Sequence, residues 1–242
     1  MKTFDEITFD FEQCRAQFDE FRMLLEDKDE LAEAADVLPF FRTRLQLSAL
    51  LGMFNPRIAL ADRVAYEFDI FGDFKCDWAV GEWDRGSYCF IEFENAEKNS
   101  IFEKKGTKAT KEWGQRFDHG FSQIVDWCHK LHDRARSDDF LARFGKHSIN
   151  YEAVLVIGRD QHLDAGERAR LNWRSEYVVV NSKKVHCMTF DQLLSQLSTR
   201  LGTLSMTPTP LKPVEPPKAV GPTLEIAKQA EPPPLPPPAP QA

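Results

Sequence analysis

Apolar positions along the chain fall into two textures. Between residues 9 and 35, Phe11, Phe18, Phe21 and Leu25 recur at helical spacing among acidic residues, which predicts a helix with one buried face. A second helical stretch carries Leu45, Leu47, Leu50 and Leu51, bounded by Pro39 and by the Gly52–Pro56 segment. Residues 57–67 read either as a short third helix or as a lead into strand. From Phe68 the texture becomes strand-like. Phe74–Val80 and Tyr88–Glu94 are predicted strands, joined by a turn over Gly81–Ser87. Phe117, Phe121, Ile124, Val125, Cys128 and Leu131 return to a period near 3.6 and predict a helix over Phe117–Leu131. Tyr151–Gly158 contains the consecutive run Val154, Leu155, Val156 and Ile157, which suits a strand buried on both faces. A helix over Asp164–Trp173, a strand near Val178 or Val185, and a helix over Asp191–Leu201 with Asp191 as its cap complete the pattern. Helices flanking strands of this length imply an α/β sandwich.

Composition changes the picture at one end. Of the 15 prolines, 13 lie in the 37 residues from Met206 onward, ending in Pro232-Pro233-Pro234-Leu235-Pro236-Pro237-Pro238. Proline removes backbone donors and fixes φ, so a disordered tail with polyproline II character is expected from residue 205 to 242. That tail is either a passive spacer or, through Leu235, a docking motif for a partner. No internal repeat is present. The remaining chain is divided into an N-terminal helical region, 1–50, packing on a core domain, 51–204.

Charge and cysteine usage set further bounds. No stretch approaches the roughly 20 apolar residues of a membrane helix, and the mixed, acidic N-terminus reads as lacking a secretory signal. Five scattered cysteines with no Cys-x-x-Cys pair argue against structural zinc and a disulfide framework, and for buried thiols in a reducing cytoplasm. The net charge of −7 disfavours phosphate binding by the molecule as a whole. The Lys-rich stretch from Lys98 to Arg116 is the local exception, either a phosphate-docking surface or a solvated loop.

Candidate chemistry lies in the two central strands. Alternation puts Glu92 and Glu94 on one face and Ile91 and Phe93 on the other. In a hairpin, Asp77 comes across from that face. Clustered carboxylates repel unless a cation or protons neutralise them, and an oxygen-rich set suits Mg²⁺ or Mn²⁺. The alternative is ordinary solvent-facing acids on an alternating strand. His119 reads as a structural hydrogen-bonding residue, His129 and His132 as surface histidines, and Trp127 as core.

The run Asp77, turn, Glu92-Phe93-Glu94 resembles the core motif of PD-(D/E)XK nucleases. The wider pattern is more distinctive: Glu67-Phe68, Gly72-Asp73-Phe74, Asp77, then Phe90 through Ala96, Ser100-Ile101-Phe102, and Arg116-Phe117-Asp118-His119-Gly120-Phe121-Ser122-Gln123-Ile124-Val125-Asp126-Trp127. Together these resemble the nuclease domain of the bacterial anti-phage Shedu proteins over roughly residues 40–200. The resemblance implies a restriction-endonuclease-like mixed sheet flanked by helices, DNA cleavage in defence against phage or plasmid, and a homo-oligomer. It assigns Asp77 and Glu92 as metal ligands. Glu67 would be an acid on the preceding helix that completes a second metal position, and Gln123 a polar residue orienting phosphate or water. The chain departs from the motif at position 94, where Glu replaces Lys. Glu94 can still bind metal or accept a proton. Three outcomes stay open: a lysine supplied by Lys104, Lys105 or Lys108, catalysis by metal alone, or an inactive site. An inactive nucleic-acid-binding or sensor module and a scaffold acting through the tail are the alternative functions.

Overall fold

The computed structural model describes residues 3–206, so the proline-rich stretch from Thr207 lies outside the described residues. The short strand β1 (Asp5–Glu6) precedes helix α1 (Phe11–Asp27). Asp10 caps α1, its carboxylate accepting from the Gln13 amide. The helical pattern to residue 35 is interrupted after Asp27, and a π-helical turn (Glu33–Val37) leads into α2 (Leu38–Thr43), α3 (Leu45–Leu50) and a 3-10 turn (Leu51–Phe54). Residues after this turn lead into strand rather than a third helix. Strands β2 (Arg63–Ile70), β3 (Phe74–Glu82) and β4 (Ser87–Phe93) form a meander, followed by the small ribbon β5 (Phe102–Glu103) and β6 (Glu112–Trp113). Then come α4 (Gln115–Arg134), α5 (Asp138–Phe144), β7 (Asn150–Val156), α6 (Ala165–Tyr177), β8 (Val179–Val180), β9 (Lys183–Met188) and α7 (Phe190–Met206).

Seven strands form one mixed sheet in the order β1-β2-β3-β4-β7-β9-β8. Neighbours are antiparallel except β4–β7 and β7–β9, which run parallel. Strand β4 and the C-terminal half of β7 are buried on both faces, which explains the unbroken apolar run on β7. The N-terminal helices and α7 cover one face, sharing a core with Val64, Trp78, Ile91 and Phe93. The opposite face packs Ala79, Tyr88 and Phe90 against α4, α5 and α6 through Phe117, Ile124, Trp127, Phe144 and Leu171. All five cysteines are free and buried. Among the described residues, no helix is long and apolar enough to cross a membrane.

Two local devices fasten the helices. Arg159, 6% exposed, bonds the carboxylate of Asp191 and the Leu25 and Lys28 carbonyls, tying the C-terminus of α1 to the start of α7. Asp191 was predicted to cap α7. The cap is instead Thr189, whose hydroxyl accepts from the Gln192 amide while the Gln192 side chain accepts from the Thr189 amide. Asp191 sits inside the first turn, where its charge favours the helix N-terminus and meets Arg159.

Candidate active site

Strands β3 and β4 pair from Glu82↔Ser87 to Trp78↔Ile91, and the ladder stops there. One step further, Asp77 and Glu92 would face each other. Instead the Asp77 side chain enters the ladder, its Oδ2 accepting from the Phe93 amide at 2.8 Å. Phe90 belongs to the core under α4, so alternation puts Glu92 on that face, and the charge of Asp77 acts on Glu92 across the fork.

A second irregularity lies beside them. Tyr66 pairs with Trp78 and Phe68 with Cys76, keeping one register on both sides of Glu67. Yet Trp78 faces the α1 side and Tyr66 packs against that core, while Phe68 and Cys76 belong to the α4 side. The exchange of faces occurs at Glu67, whose φ is +47°. A left-handed backbone at a residue with a Cβ costs about 1–2 kcal/mol, and such strain clusters at functional sites. Glu67 was expected on a helix. It lies on β2 because residues 63–70 pair with β3 along their length. It remains close enough to Asp77 to disfavour that carboxylate's charge.

The helical acid at the site is Glu33, on the π-helical turn. Its charge acts on Asp77, Glu92 and Glu94 alike, and Arg116 bridges it to Glu94 at 3.5 and 3.4 Å. Sequence reasoning missed this residue. It lies in a run of acids that looks solvent-facing, and nothing local distinguishes it from Glu30 or Asp36.

Helix α4 supplies the other wall. Arg116, His119 and Gln123 recur at helical spacing and form one stripe over β4. His119 Nδ1 is 3.0 Å from Glu94 Oε1, and the Gln123 amide donates to Glu92 Oε1. Gly120 lets the helix lie this close: a Cβ there would stand 2.8 Å from Leu155 Cδ1 and 3.1 Å from Glu94 Cγ. Trp127 is buried core, and His129 and His132 are exposed, as expected.

Burial and mutual repulsion raise all three carboxyl groups. Asp77 is pushed up to about 7, first by burial and then by Glu33, Glu94 and Glu67, against the opposing Phe93 amide. Glu92 is raised by burial, then by Asp77, Glu94 and Glu33, with the Asp77 backbone amide opposing. Glu94 is raised by burial, with the His119 hydrogen bond opposing. Glu92 Oε2 is buried with no hydrogen-bond partner, so the site holds an acceptor awaiting a donor or a cation.

The lysines go elsewhere. Lys105 pairs with Glu103 and Lys108 with Glu112 on the β5–β6 ribbon, and Lys104 is exposed. The cationic groups hydrogen-bonded to Glu94 are Arg116 and, when protonated, His119. Among the described residues, no three His, Cys, Asp or Glu side chains are grouped to hold a metal ion. A Mg²⁺-like ion usually takes only one or two carboxylates and fills its octahedron with waters and substrate phosphate.

A family model described as Shedu protein SduA, C-terminal, matches residues 30–194. The chain belongs to the Shedu family. The matched span begins just before Glu33 and ends within α7, so it takes in every residue of this site in the Shedu chain. Membership associates the chain with anti-phage defence. No curated protein matches it.

Proposed function

We propose that this Shedu chain is a metal-dependent endonuclease that hydrolyses phosphodiester bonds of DNA, acting in the cytoplasm against phage or plasmid DNA and within a homo-oligomer. The observation that carries the reading is the Asp77–Glu92 pair, joined at the fork of two strands with Glu92 Oε2 buried and unpartnered. Asp77 and Glu92 would hold Mg²⁺ or Mn²⁺, with Glu67, Glu94 and Glu33 adding negative field. Bound there, the ion supplies Lewis-acid stabilisation of charge on phosphate and a more acidic water. The Gln123 amide fixes Glu92 through Oε1 and leaves Oε2 for a ligand. The Phe93 amide fixes Asp77 through Oδ2 in the same way. Arg116, its side chain 55% exposed, stands at the rim with weak bonds to Glu33 and Glu94, so it can turn a donor toward a phosphate oxygen.

One observation favours a second reading, a binding module without turnover. Glu94 stands where related nucleases carry lysine, and Lys105 and Lys108 are paired with acids on the ribbon. Incubating the full chain with linear and supercoiled DNA, with Mg²⁺, Mn²⁺ or EDTA, separates the two. Metal-dependent cleavage lost in both Asp77→Asn and Glu92→Gln is the expected result. DNA retention with no cutting under any metal would establish the second reading instead.

A further inference from the structure

Helix α6 carries the most exposed aromatic pair among the described residues. Trp173 and Tyr177 are 59% and 65% exposed and stack on each other with centroids 5.7 Å apart. Large aromatic side chains are seldom left in water as a stacked pair, and an exposed apolar patch marks an interaction surface. Their spacing continues a stripe that starts at Arg170, one and two turns earlier on the same helix. Arg170 lines a cleft of about 470 Å³ against the β5–β6 ribbon, together with Lys105, Lys108, Lys111 and Trp113. Glu112 and Asp118 are the acids lining this cleft, while Glu103 and Glu167 pair with Lys105 and Lys111 from beside it.

The ion pairs of these lysines do not forbid a polyanion. Lys105–Glu103 and Lys108–Glu112 lie on the surface, with the lysine side chains 54% and 70% exposed, whereas Lys111 is held by the buried Glu167 and serves as a fixed part of the wall. Such surface pairs are worth little, and a phosphate can replace the partner. Trp113 forms the cleft wall and packs at a tilt against Phe102 and Phe117, with Arg170 over its ring. Cations that track a backbone, together with exposed aromatic faces, are the elements of a single-strand binding track. Paired bases are sealed in the duplex stack and cannot reach Trp173 or Tyr177.

We infer that the α6 stripe and the ribbon cleft dock an unpaired stretch of nucleic acid, with phosphates on Arg170 and the lysines and bases stacked on Trp173 and Tyr177. This rests on the nuclease reading for its purpose, because the first turns of α4 connect the two places. Asp118 borders the cleft, while Arg116 and His119, toward the opposite flank of the same turns, contact Glu94. A strand held in the cleft would pass over the start of α4 to reach the carboxylates.

The test is fluorescence anisotropy of the full chain in EDTA, so that cleavage plays no part. A labelled oligothymidine of about twenty nucleotides is compared with a duplex of equal length. Stacking on one aromatic platform is worth about 5- to 150-fold in affinity. Trp173→Ala/Tyr177→Ala should therefore weaken oligothymidine binding at least tenfold and change duplex binding less than about threefold. Arg170→Gln should lower the salt slope for the single strand by roughly 0.7. Oligothymidine binding unchanged in the double variant would overturn the inference, as would no single-strand binding by the wild type. A double variant that binds normally but loses its oligomeric state in sedimentation would also overturn it, making the patch a contact between copies. Wild-type cleavage with unchanged binding in the variant sinks the docking track alone. Aromatic-dependent binding without any metal-dependent cleavage sinks the nuclease reading alone.

Discussion

Replacing Gly120 by Ala adds one methyl group and sets two known effects against each other. In a helix interior, Ala is favoured over Gly by about 1 kcal/mol, so on propensity alone Gly120→Ala stabilises. The added Cβ, however, would lie 2.8 Å from Leu155 Cδ1 and within 3.2 Å of two atoms of Glu94. Leu155 is fully buried on the central parallel strand and Glu94 is 1% exposed, so neither can swing into open space. Overpacking of this kind costs about 1–3 kcal/mol. The expected net effect is destabilisation by about 1 kcal/mol, read as a lower urea midpoint with an unchanged slope. Relief comes as a small shift of α4 away from β4, which loosens the His119–Glu94 and Gln123–Glu92 contacts. Any cleavage activity should then fall further than stability does. Truncating Leu155 supplies the decisive control. Leu155→Ala alone costs about 2–5 kcal/mol, but in that background the largest clash is gone and Gly120→Ala should turn neutral or stabilising. A reversal of sign within one double-mutant cycle isolates the contact. If Gly120→Ala is equally stabilising in both backgrounds, the close approach of α4 to the carboxylates is wrong.

The remaining predictions concern charge. Without metal, Asp77 holds its proton up to about pH 7, well above the ordinary carboxylate range. The unfolded chain releases that proton from about pH 4, so stability falls by up to about 1.4 kcal/mol per pH unit as pH rises from about 4 to about 7. Asp77→Asn should flatten this decline in urea titrations run in EDTA. Wild type and variant sharing one slope would show that Asp77 ionises normally. Added Mg²⁺ should raise the thermal midpoint of the wild type and leave Asp77→Asn and Glu92→Gln unmoved. Arg159→Met should cost roughly 3 kcal/mol, because it strips a buried cation from Asp191 and from the carbonyls ending α1. Arg159→Lys should recover little, since one ammonium cannot reach three acceptors at once. A change below about 0.5 kcal/mol in Arg159→Met would refute that fastening role.

Much of this molecule was legible one element at a time. The period near 3.6 marked α4, and the unbroken apolar run marked the doubly buried β7, because both patterns are local consequences of which side meets the core. The same logic separates Glu92, which meets Gln123 of α4, from Phe93, which joins the core on the other face. Even the cap of α7 was present in the sequence, as the Thr189-to-Gln192 box, but Asp191 was the more conspicuous acid.

Folding in three dimensions decided which charges share a site. Glu33 arrives from a turn far upstream, while Arg116, His119 and Gln123 reach the strands only because Gly120 lets α4 approach. The exchange of faces at Glu67 and the pairing of Lys105 and Lys108 with ribbon glutamates were equally invisible. Periodicity reports how a segment turns its own side chains toward or away from water. It carries no information about which distant segment will be pressed against them, and electrostatic interactions depend on that distance.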